Sequence, residues 1–136
     1  MIKSDAQRER TVAQIGGFRR ALGQVTAEMS GKRAATVAAS YQSMIRQLED
    51  ELREYDGLKR GKVTLPKVER LDRIAPFIVR VRIAKGISQT ELARRLGVPK
   101  QVVSRYEESD YQTASVVKLQ EILDALGIKT VVRLVS

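Results

Sequence analysis

The sequence predicts a mainly α chain: an N-terminal helical hairpin, then a compact helical bundle, ending in a short C-terminal β-strand. Three observations carry this. Apolar residues recur at spacings of three and four through two long runs before residue 60. After it come shorter amphipathic runs punctuated by Gly and Pro. The last run, "IKTVVRLV", is β-branched and partly alternating.

In the first run, Val12, Ile15, Phe18, Leu22 and Val25 form one helical stripe, although Gly16, Gly17 and Gly23 each cost roughly 1 kcal/mol against Ala. "SGKR" at Ser30–Arg33 can reverse the chain. In the second run Val37, Tyr41, Met44, Leu48, Leu52 and Tyr55 follow a near-heptad pattern, with Arg46, Glu49, Asp50, Arg53 and Glu54 outside it. A lone hairpin buries too little apolar surface to stand by itself. Its stripe is therefore expected to pack on the rest of the chain as a brace, or on a second subunit or partner.

"KRGKVTLPK", with Gly57, Gly61 and Pro66 around it, marks a boundary between residues 1–60 and 61–136. The first part holds eleven Lys/Arg against eight Asp/Glu, net +3; the second holds fourteen against eight, net +6. Four helices are expected in the second part. The first ends at "VRIAKG", with Gly86 as C-cap and Pro76 starting or kinking it. The last runs from the cap Ser115 to Gly127, with Val116, Leu119, Ile122, Leu123 and Leu126 on one face. Ile128–Val135 reads as the strand.

Composition narrows function. The net charge of +9, with a pI near 10.2, points to a polyanionic partner, usually nucleic acid. Cys and His are both absent, which removes thiol chemistry, the usual general base and the commonest metal ligands. No grouping of carboxylates, Ser or Lys resembles a catalytic arrangement, so no catalytic residue, cofactor or metal is assigned and an enzyme is not expected. No stretch is apolar enough for a membrane span and the start lacks a signal core, so a cytoplasmic protein without membrane contact is expected.

The middle two helices of the second part lie in "SQTELARRLGVPKQVVSRYE", Ser88–Glu107. Ser88 and Glu91 fit a capping box in which each side chain serves the other's backbone N–H. Leu92, Ala93 and Leu96 give an inner face, and Gly97 supplies the positive φ of a short reversal. Pro99 presets the next helix, with Val102, Val103 and Tyr106 facing in. Lys100, Gln101, Ser104 and Arg105 are left outside, of the kinds that read base edges or grip phosphates. That geometry is a helix-turn-helix.

This stretch, with "ASVVKLQEILDALGI", resembles the Cro/phage-repressor class of XRE-type helix-turn-helix regulators over about Leu71–Ile128. The resemblance implies a lambda-repressor-like bundle of four or five helices that binds an operator in double-stranded DNA as a homodimer. Gln89 sits where relatives contact a phosphate; Lys100, Gln101, Ser104 and Arg105 sit where they contact bases and nearby backbone. Many relatives have Ser or Thr at Pro99, and that phosphate contact is not carried over. The arm followed by "LPKVERLDRIAPFIVRVRIAKGIS" also looks like XRE-type antitoxins of toxin–antitoxin operons, including the HigA type. That implies an autoregulating repressor with a ribonuclease-type toxin as a further partner. A phage-like or housekeeping repressor without a toxin, and a protein-interaction module on this scaffold, stand beside it.

Each site residue also has a plainer reading. Ser104 can be a small packing residue, Arg105 can pair with Glu107 or Glu108, Lys100 can be a solvated charge, and Gln89 can help cap its helix. Arg94 and Arg95 read as solvated or backbone-steering, and Tyr106 and Glu107 as structural.

Overall fold

The computed structural model describes residues 1–136, which divide into two compact units, Met1–Gly57 and Leu58–Ser136. Helix α1, Asp5–Glu28, starts at Ser4, whose hydroxyl accepts the Gln7 N–H at 3.2 Å. It runs unbroken through Gly16, Gly17 and Gly23. Helix α2, Gly31–Lys59, returns antiparallel. The first unit is tied at its open end by Arg8 on Asp56 (2.7 and 3.1 Å) and by the Tyr55 hydroxyl donating to Asp5 at 2.6 Å. Further along, Arg19 pairs with Glu49, and the Phe18 and Tyr41 rings lie 5.9 Å apart.

The buried seam departs from the expected stripe at two points. Val12 and Met44 are exposed, while Ile45 is buried. Tyr41, Ile45, Leu48, Leu52 and Tyr55 alternate spacings of four and three, which keeps them in one line; Met44 lies one residue, about 100° of helix, away from it.

In the second unit, 3₁₀ turns at Leu71–Arg73 and Ala75–Phe77 lead into α3, Ile78–Ala84. Pro76 occupies the turn that precedes α3, where its missing N–H breaks no helical hydrogen bond. Helices α4, Gln89–Leu96, α5, Lys100–Glu108, and α6, Val116–Ala125, follow. Ile78, Val79, Val81, Leu92, Val103, Ile122 and Leu126 are buried as the core, each contributing about 1.5–3 kcal/mol of apolar burial. The Ser115 hydroxyl caps α6 by accepting the Lys118 N–H at 3.1 Å. Leu119 is half-buried on the predicted face, but Val116 is exposed.

The expected C-terminal strand over Ile128–Val135 is absent: the chain is all-helical and contains no sheet. Val131 and Leu134 are 86% and 90% exposed. β-branched residues favour a strand through cross-strand packing and ladder hydrogen bonds, and this chain holds no second strand to provide either.

Candidate nucleic-acid interface

Ser88 caps α4, its hydroxyl accepting the Glu91 N–H at 3.0 Å. The reciprocal half of the box does not form. The Glu91 carboxylate turns along the helix to Arg94 (2.9 and 2.7 Å) and Arg95 (3.0 Å), because two guanidinium groups one turn away outcompete a neutral N–H. Arg94, then Arg95, lower the Glu91 pKa to about 2. Arg95 also donates to the Ala125 carbonyl at 2.9 Å, joining α4 to the end of α6.

Gly97 ends α4 in the left-handed conformation, φ 67° and ψ 32°, and the Val98 N–H closes the turn on the Ala93 carbonyl at 3.0 Å. Pro99 is the residue before α5, with φ −62° and no side-chain cap. The Val102 N–H bonds to the Pro99 carbonyl at 3.0 Å.

Beyond this turn, Val103 and Glu107 face inwards and are fully buried. Lys100 with Ser104 and Gln101 with Arg105 are each four positions apart, so each pair lies along one side of α5, with Gln101 and Arg105 turned furthest from Val103. Lys100, Gln101 and Arg105 are exposed and Ser104 is half-buried. Arg105 pairs with neither Glu107 nor Glu108, and Lys100 and Gln101 make no hydrogen bond or ion pair within the chain.

Gln89 is placed differently. It is half-buried and donates its side-chain N–H to Glu107 Oε1 at 2.9 Å rather than capping α4. Glu107 is the hub of a network that sequence reasoning left out. Arg82 of α3 meets it in a two-pronged pair, both contacts at 2.7 Å. The third side-chain nitrogen of Arg82 donates to the Ile87 carbonyl at 2.8 Å. The Tyr111 hydroxyl donates to Glu107 Oε2 at 2.9 Å. Burial first, then the Glu107 charge, raises the Tyr111 pKa far above its ordinary value.

Arg82 and Glu107 are 2% and 0% exposed, so the pair survives burial only because donors surround both carboxylate oxygens. Tyr111 and Asp110 both hold positive φ, 61° and 50°. Tyr111 is kept there by its N–H on the Tyr106 carbonyl at 2.8 Å and by stacking on the Tyr106 ring at 5.9 Å. A signal for Arg82 existed: in "IVRVRIA" it lies three and four residues after Val79 and Ile78, on the inner face, where an arginine requires a carboxylate.

No three His, Cys, Asp or Glu side chains group to hold a metal, and no helix is long and apolar enough to cross a membrane. Residues 78–132 match the helix-turn-helix family model. Neither curated proteins nor solved structures provide a match to the chain. The matched segment begins at α3 and contains α4 and α5 entire, so the second unit carries a helix-turn-helix domain of the kind found in DNA-binding transcription regulators.

Proposed function

We propose that the chain is a sequence-specific repressor that binds a double-stranded DNA operator as a homodimer, with α5 in the major groove. The observation that supports this best is the outward face of α5. Lys100, Gln101 and Arg105 project from a helix whose inner face is locked by Val103 and Glu107, and they have no partner inside the chain. Such side chains bond base edges and phosphates without giving up an intramolecular contact. Gln89, with one amide N–H engaged on Glu107, keeps a second for a backbone phosphate at the start of α4.

The first unit serves in this reading as the dimerisation arm, and the exposed Val12, Met29 and Met44 are apolar surface suited to a second copy. The resemblance of "LPKVERLDRIAPFIVRVRIAKGIS" to antitoxins supports an autoregulating antitoxin whose arm or another surface meets a ribonuclease-type toxin.

Fluorescence anisotropy on the DNA upstream of the protein's own gene tests the reading. Saturable binding that prefers this DNA over random duplex, and weakens in Arg105→Ala, supports it. Equal affinity for both duplexes removes the sequence-specific repressor.

A further inference from the structure

The segment that enters the second unit, 58–68, is a basic stretch that lies outside the matched helix-turn-helix residues. "LKRGKVTLPKV" carries Lys59, Arg60, Lys62 and Lys67 and no acidic residue. Apart from the last residues of α2, it belongs to no helix or strand. Arg60, Lys62 and Lys67 are exposed and none has a hydrogen bond or ion pair in the chain. Other exposed cations of this unit are held by carboxylates, Arg70 on Asp72 and Arg94 and Arg95 on Glu91, whereas Arg60, Lys62 and Lys67 share the unpaired state of Lys100 and Arg105 on α5.

The stretch is also anchored. Leu58 is buried, Gly61 donates to the Leu58 carbonyl at 2.8 Å, and Val63 donates to the Gly61 carbonyl at 3.0 Å. A Cβ built on Gly61 would lie 3.8 Å from the Ala84 carbonyl oxygen, so Arg60 and Lys62 flank the end of α3. From there the tight Lys85–Ile87 turn leads directly to Ser88 and Gln89 at the start of α4. Three exposed cations without intrachain partners, two of them flanking Gly61 beside the end of α3 and the third a few residues further along the same segment, match a row of phosphates.

We propose that Arg60, Lys62 and Lys67 form a second DNA-backbone contact, gripping phosphates that flank the stretch covered by α4 and α5. The proposal rests on the DNA-binding reading above. This contact adds affinity without reading sequence, because cations on phosphates carry no base information.

The test uses the full chain and a fluorescent random-sequence 30-bp duplex titrated across a salt series. Each cation–phosphate contact contributes about 0.9 to the slope of log K against log salt. The variant R60A/K62A/K67A should therefore lose about 2–3 from that slope while its helical circular dichroism stays unchanged. A control, R10A/R20A/K32A, removes as many exposed cations from the first unit and should leave the slope nearly intact. An unchanged slope in the first variant, or an equal loss in both, overturns the proposal while leaving DNA binding in place. Failure of the wild-type chain to bind the duplex overturns instead the reading on which it rests.

Discussion

Glu107 of α5 accepts two hydrogen bonds from Arg82 of α3, each 2.7 Å long, in a site from which water is excluded. The pair fixes the rotation of α5, and hence the direction in which Lys100, Gln101 and Arg105 point. Removing one partner leaves a buried charge uncompensated. Arg82→Met and Glu107→Leu should each cost about 3–5 kcal/mol, whereas the double substitution should be far milder than their sum. Urea unfolding of the two single variants and the double variant measures this.

Gly97 carries its cost in backbone conformation alone. Its φ is 67°, and nothing lies within 4 Å of where a Cβ would stand. Gly97→Ala should destabilise the chain by about 1–2 kcal/mol, seen as a lower urea midpoint with an unchanged m-value. Wild-type stability in the variant would show that the reversal tolerates an L-residue.

Glu91 makes stability acid-sensitive within a definite window. Its pKa falls from an ordinary 4.5 to about 2 on folding, so between these values the unfolded chain binds more protons. The contribution is complete above pH 4.5, declines as pH falls, and is gone below about 2. Glu91→Gln lacks it at every pH. The stability gap between wild type and variant should close over that acid range, and should be smaller in high salt because the pair is exposed. A gap independent of pH contradicts the assignment.

Arg105→Ala and Gln101→Ala test recognition without disturbing the fold. Neither residue has an intrachain partner, so thermal stability should change by no more than about 0.5 kcal/mol. Affinity for the specific DNA should fall by about 1–3 kcal/mol, with a smaller loss on random duplex. Gln89→Ala should weaken binding to both duplexes about equally, as a phosphate contact would.

The second unit holds its own buried core, from Ala75 to Leu126. A fragment comprising residues 58–136 should therefore unfold cooperatively and keep its helical circular dichroism. If the first unit is the dimerisation arm, the fragment sediments as a monomer and binds an operator with two half-sites far more weakly than the full chain. A fragment that sediments as a tight dimer moves the interface into the second unit.

The caps at Ser88 and Ser115, the reversal at Gly97 and the outward face of α5 were legible in the sequence by itself. Each depends on residues no more than four positions apart, where helix geometry alone dictates which groups meet. Even at short range competition decided some outcomes: Glu91 fits a capping box by spacing, yet two arginines draw its carboxylate away. Ile45 displaced Met44 from the hairpin seam because the line of contact selects one of two adjacent apolar residues. Only the tertiary structure joined Arg82 to Glu107, 25 positions away, and turned Gln89 onto the same carboxylate. It alone left Ile128–Val135 without a ladder, since strand formation requires a partner that local β-propensity does not supply. Long-range charge pairing and strand pairing depend on what the fold places opposite a residue, and local sequence spacing does not contain that information.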